Sequence, residues 1–116
     1  GLRYLGMIEN SELATLLTGA EALLYPSLYE GFGLPILQAF ACGCPVVTSN
    51  VSCMPEIAGS AAVLVDPYSI ESIVDGIKKA LAGRKGLIKK GFERVKAFSW
   101  EKTALETLSV YREAKQ

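Results

Sequence analysis

"LLYPSLYEGFGLPILQAFACGCPVVTSN", residues 23–50, decides how the chain reads. An apolar β-type run ends at Pro26 and leads to a carboxylate, Glu30. Gly31-Phe32-Gly33-Leu34 follows, and Pro35 opens a short apolar stretch to Cys42. Proline in the first turn and Gly43 just past the end are the expected helix punctuation. A second β-type run, Pro45 to Ser49, comes next. The quoted residues therefore spell strand, turn, helix, strand, with the carboxylate and the glycines between the first strand and the helix.

The same alternation extends both ways. Upstream, Leu2–Leu5 (LRYL) reads as a strand ending at Gly6, and Asn10-Ser11 as the cap of a helix carrying Leu13, Leu16 and Leu17. The strand before Pro26 takes in Glu21 to Tyr25. Downstream, Pro55 to Ala58 forms one helical turn and Ala61 to Val65 another buried strand, stopped by Asp66-Pro67. Ser69 caps a helix with Ile70, Ile73, Val74, Ile77 and Leu81 on one face. Gly83 to Gly86 is a helix–helix joint. Lys85 to Ala97 is a basic amphipathic helix, and Ser99 caps a last one from Trp100 towards Lys115, striped by Ala104, Leu105, Leu108 and Tyr111. Four short, near-continuous apolar strands separated by helices imply an α/β fold with a parallel sheet covered on both faces.

Composition limits the function classes. The chain has 116 residues, 50% apolar and 21% charged, enough for one small folded domain. Lys and Arg total 12, matched by 12 Asp and Glu, so no basic excess points to nucleic acid. No apolar run approaches the ~20 residues that cross a bilayer. The three cysteines, Cys42, Cys44 and Cys53, lack metal or disulfide spacing and read as buried thiols of a reducing compartment. Histidine is absent, which removes histidine triads, bases and metal sites. Chemistry falls to carboxylates, amides, hydroxyls, Lys, Arg and the backbone.

In an open parallel sheet, ligands bind beyond the carboxyl ends of the strands. Glu30 lies just past such an end, and the glycines lead into a helix whose first N–H groups lack intrahelical acceptors. The amides of Phe32, Gly33 and Leu34 can therefore hold a diphosphate without Lys or Arg. Glu30, repelled by that anion, is suited to accept hydrogen bonds from sugar hydroxyls, and Gln38 to meet a ribose. The alternative is an ordinary strand–turn–helix corner with Glu30 and Gln38 in solvent.

The run "SLYEGFGLPILQAFACGCPVVTSNVSCMPEIAGSAAVLVDP" closely resembles the C-terminal domain of the nucleotide-sugar-dependent, retaining group 1 glycosyltransferases of the GT-B fold. The likeness extends through "LRYLGMIENSELATLLTGAEALLYPS" and "FSWEKTALETLSVYREA", so it covers nearly the whole chain. It implies a Rossmann-like three-layer α/β/α domain, the incomplete C-terminal half of a GT-B fold, with no cofactor and no metal. Its sugar donor would be a UDP-, GDP- or ADP-linked hexose. Glu30 matches the first glutamate of the family's E-x7-E motif, the catalytic-site residue that touches sugar hydroxyls. Gly31, Phe32, Gly33 and Leu34 match the diphosphate loop. Gln38 stands where the family usually has the second glutamate, keeping an acceptor oxygen but losing the charge. Met7 and Ile8 match the turn that meets the base.

The family's sugar-binding domain begins further upstream and faces an acceptor domain. The resemblance thus implies a cytoplasmic hexosyltransferase of polysaccharide synthesis whose glycan or lipid acceptor is held elsewhere. The isolated chain is expected to be inactive and, with an apolar sheet edge open, to self-associate or exchange strands. The alternatives are a non-catalytic nucleotide or sugar-phosphate module and a purely structural relative.

Further residues have a bland reading beside a functional one. Glu56 suits a helix N-terminus. Asn50 and Ser52 follow a strand towards the ligand edge, and Tyr29 packs on the loop or over a sugar. Lys78, Lys79, Lys85, Lys89, Lys90, Arg94 and Lys96 form a solvated basic face or a peripheral contact with the inner face of a membrane.

Overall fold

Three short parallel strands frame the protein in the computed structural model, which describes residues 1–116. The elements run α1 (Asn10–Gly19), β1 (Leu23–Tyr25), α2 (Leu34–Ala41), β2 (Val46–Ser49), α3 (Met54–Ala58), β3 (Val63–Val65), α4 (Ile70–Ala82), α5 (Arg84–Val95) and α6 (Trp100–Ala114). The sheet order is β1-β2-β3, with Leu24 opposite Val47 and Thr48 opposite Leu64.

β2 is central and all four of its residues are buried, as expected for a parallel strand covered on both faces. Its side chains alternate. Val46 joins Leu17, Ile36, Phe40, Met54 and Ile57 on one face, whereas Val47 joins Val65 and Ala80 on the other. α1, α2 and α3 cover the first face and α4 the second, giving the three-layer α/β/α arrangement of a Rossmann-like domain. Where α4 crosses the sheet, Gly76 lies so close that an added Cβ would stand 2.3 Å from a Val65 methyl and 3.2 Å from one of Val47.

α2 matters most for the site. Ile36 and Phe40 are fully buried, each contributing about 1.5–3 kcal/mol of transfer free energy. A single hydrogen bond nets about 1 kcal/mol. Packing therefore sets where the N-terminus of α2 points.

Several expectations hold and some do not. Ser69 and Ser99 cap α4 and α6, their hydroxyls accepting from the N–H groups of Ser72 (3.1 Å) and Lys102 (3.0 Å). α1 is capped at Glu9 rather than at Asn10-Ser11, because the Glu12 carboxylate accepts from the Glu9 N–H at 3.1 Å. Leu2–Leu5 is not a strand. It has no neighbour to share a ladder with, and Leu2 and Tyr4 stand in solvent, so the sheet has three strands and not four. The joint between α4 and α5 is Gly83 alone, with Gly86 inside α5. The stripe on α6 buries nothing: α6 has no buried residue, in a molecule 56 Å long and only 30 and 29 Å across. Arg94 is not part of a solvated face. Its guanidinium donates to the carbonyls of Glu56 and Ile57, at the end of α3, and lies 5.0 Å from the Phe98 ring centroid.

Candidate functional site

The chain leaving β1 is gripped by hydroxyls from β2 and the loop after it. Thr48 Oγ1 donates to the Tyr25 carbonyl at 2.8 Å, and Ser49 Oγ donates to the Ser27 carbonyl. Ser52 Oγ accepts from the Glu30 N–H at 3.3 Å and donates to the Glu30 carbonyl at 3.2 Å, which the Cys53 thiol also approaches at 3.4 Å. Ser27 is thus tied to the buried central strand and Glu30 to the loop that follows it.

The side chain of Glu30 is half-buried and held at its tip. Ser27 Oγ donates to Glu30 Oε1 at 2.7 Å, a contact that outcompetes its 3.4 Å approach to the Tyr29 carbonyl because a hydroxyl has one proton to give. The Tyr25 hydroxyl and then the Ser27 hydroxyl hold the Glu30 carboxyl below its ordinary range. Burial, and then Glu30 itself, push Tyr25 up to about 12. At neutral pH the pair is a carboxylate beside an intact phenol.

This pairing has a titration signature. Of the five tyrosines, one should ionise near 12 in the folded protein, and part of its shift should vanish in Glu30→Gln. A pKa raised on folding contributes stability that is present below the ordinary tyrosine value near 10. It is lost as pH rises towards 12. Tyrosinate absorbance against pH reads both effects; five tyrosines titrating together would contradict them.

Gly31 and Phe32 are exposed, and Gly33 is the buried N-cap of α2. The backbone of Gly33 is left-handed (φ 87°, ψ 43°), a conformation glycine adopts without the Cβ penalty, and an added Cβ would meet Ile36 Cδ1 at 3.3 Å. The N–H groups of Phe32, Gly33 and Leu34 have no acceptor in the chain. The Phe32 ring packs edge-on to Phe98 at 6.1 Å, and Arg94 lies against Phe98. The loop at the tip of α2 is therefore braced by packing, while its amides stay unpaired within the chain. Chemically it can stabilise a dianionic group, with a fixed carboxylate beside it to accept from hydroxyls.

The other sequence-derived candidates are spread more widely. Gln38 is exposed on α2, one turn beyond Leu34, and lines a groove of about 180 Å³ against α1 with Asn10, Leu13, Leu17 and Cys42. Ile8 is half-buried just before α1, and Met7 stands fully in solvent. Ser52 turns to the Glu30 main chain, Asn50 and Tyr29 are exposed, and Glu56 lies in the first turn of α3. Sequence reasoning missed the hydroxyls of Tyr25, Ser27, Thr48 and Ser49. A serine three residues before a carboxylate was the one local signal available.

No helix is long and apolar enough to cross a membrane. Residues 1–94 match the family model described as glycosyl transferases group 1. O-antigen chain mannosyltransferase B of Escherichia coli is 40% identical over 96% of this chain and 30% of its own length. Glycogen synthase of Mycobacterium tuberculosis is 33% identical over 98% of this chain and 29% of its own. Among solved structures, sucrose-phosphate synthase from Thermosynechococcus elongatus, a GT-B enzyme, superposes with a TM-score of 0.84 at 34% identity, over 97% of this chain and 30% of that one. The chain thus spans about 30% of the length of these relatives. A parallel α/β domain of this shape, with that family match over residues 1–94, belongs to the group 1 glycosyl transferases.

Proposed function

We propose that this chain is the sugar-donor-binding part of a retaining hexosyltransferase that uses a nucleoside diphosphate sugar. The observation that carries the reading is the row of unpaired amides at Phe32, Gly33 and Leu34 beside the ionised Glu30. In this role the amides hold the diphosphate and stabilise it as it leaves. Glu30 accepts from hydroxyls of the hexose, and Gln38 meets the ribose, with the base near Met7 and Ile8. An acceptor hydroxyl forms the new bond to the anomeric carbon while the bond to the diphosphate breaks; the electron pair leaves with the diphosphate, which takes up the proton of the hydroxyl. The acceptor is a growing glycan or a lipid-linked one. Two relatives named as mannosyltransferases support a hexosyl donor, with mannose as the first candidate. Acceptor binding is assigned to protein outside these residues, because the chain spans about 30% of its relatives' length. By itself it binds the donor and transfers nothing.

Titration calorimetry with UDP, GDP and ADP, each against its monophosphate, tests the reading. One diphosphate should bind at least about tenfold more tightly than its monophosphate, the effect of one or two charge-assisted hydrogen bonds. Equal affinity for the monophosphate would remove the diphosphate from the α2 tip. Gln38, which lacks the charge of a glutamate, favours a second reading, a binding module without catalysis. Tight binding with no transfer by the full-length protein would establish it.

A further inference from the structure

Ser52 is the only non-glycine residue with a positive φ, 58°. A left-handed backbone suits glycine and is uncommon for a serine. Ser52 is also exposed, so burial does not explain the residue type. What the side chain adds is contact with one residue: its hydroxyl accepts from the Glu30 N–H and donates to the Glu30 carbonyl. Glu30 precedes an exposed glycine, Gly31, whose added Cβ would meet nothing within 4 Å, so packing does not confine the chain there. Ser27 holds the tip of the Glu30 carboxylate, and Ser52 holds its root.

We propose that Ser52 is a positioning residue that aims Glu30 at the sugar and so sets how strongly the site distinguishes a nucleoside diphosphate hexose from the bare nucleoside diphosphate. The inference rests on the reading of Glu30 as the sugar ligand. The diphosphate should be indifferent to Ser52. The amides of Phe32 to Leu34 are held by a different set of contacts, the buried Ile36 and Phe40 of α2 and the Phe32–Phe98 pair. Ser52 therefore acts on the sugar half of the donor alone.

Two substitutions in the full-length protein separate this role from a structural one. Ser52→Gly removes the hydroxyl and relieves the backbone. Ser52→Thr keeps the hydroxyl and adds a β-branch where φ is positive. The readouts are Tm and the ratio of Kd for a nucleoside diphosphate to Kd for its hexose conjugate, using the UDP, GDP or ADP pair that binds the wild type. Ser52→Gly should keep or raise Tm, leave diphosphate affinity within about twofold, and shift the ratio against the hexose conjugate by about tenfold, the loss of one well-aimed charged hydrogen bond. Ser52→Thr should lower Tm and hold the ratio within about twofold.

An unchanged ratio in Ser52→Gly overturns the proposal, as does equal weakening of both ligands, which is general loosening. Glu30→Ala serves as the reference. If it leaves the ratio unchanged, the sugar role of Glu30 fails and Ser52 loses its object. If the wild type binds none of the nucleotides, the functional reading itself fails.

Discussion

Glu30→Ala should lower kcat/KM for hexose transfer by the full-length protein about 10²- to 10³-fold, with Tm nearly unchanged. A charge-assisted hydrogen bond to a substrate hydroxyl is worth about ten- to a hundredfold, and the two oxygens of one carboxylate can serve two hydroxyls. Glu30→Gln retains one acceptor oxygen and should fall between alanine and wild type. Stability should hardly respond, because Glu30 is only half-buried and its partners Ser27 and Tyr25 can turn to water. The pH dependence has a definite sign. The folded-state pKa of Glu30 is lowered by the Tyr25 and Ser27 hydroxyls. Whatever the group contributes to stability is therefore present above the ordinary glutamate value and is lost as pH falls through the lowered one. Acid melts should show the wild type converging on Glu30→Ala only once pH has fallen below the ordinary glutamate range and through the lowered value, and Glu30 should impose no inflection on activity at neutral pH. Steady-state kinetics settle the main point, since a loss under threefold would remove Glu30 from the reacting sugar.

Gly76→Ala should have the largest effect on stability. The new methyl would stand 2.3 Å from Val65 Cγ1, with Val47 Cγ1 at 3.2 Å behind it. Both valines belong to strands, so neither can swing aside as the end of a long side chain can. Overpacking of this kind costs about 1–3 kcal/mol and occasionally more, and the closeness here places it at the upper end. Alanine returns about 1 kcal/mol of helix propensity. The net is a loss of about 2 kcal/mol, or roughly 8 °C in Tm for a domain of this size. Thermal melts of Gly76→Ala and Gly76→Ser should both show it. Diphosphate affinity measured well below Tm should survive, because α4 packs on the sheet face opposite α2. An unchanged Tm would mean that α4 can lift off the sheet at little cost.

Much of this arrangement was legible in the residues, for reasons that are local. Pro35 and Gly43 bracket α2, Ser69 and Ser99 cap α4 and α6, and the β-branched Val46-Val47-Thr48 marks the central strand. Each signal acts within a few residues of itself. Leu2–Leu5 was misread because a strand is a property of a pair, and apolar content says nothing about the partner. The stripe on α6 was misread for the same reason, since periodicity finds a face and not what covers it. Glu21 reads as the start of β1, yet its side chain lies 3.7 Å from Arg84 and the strand begins at Leu23.

At the site, the corner that leads from β1 through Gly33 into α2 was legible, because Gly33-Leu34-Pro35 is a local helix-start signal. The grip of Thr48, Ser49 and Ser52 on residues 25 to 30 was not. Those bonds span more than twenty residues and depend on β1 and β2 lying side by side in a particular register. Arg94 was equally out of reach, because nothing nearby in sequence reveals that it closes the end of α3.

α6 carries the chain's single tryptophan, Trp100, which is 78% exposed. The intrinsic fluorescence of this protein is consequently a gauge of that one helix. Its emission starts at the red end expected of a water-bathed indole and moves to the blue when something lies down over the helix. Phe98, two residues before Trp100, packs edge-on to Phe32, so the indole hangs from the same contact that braces the tip of α2.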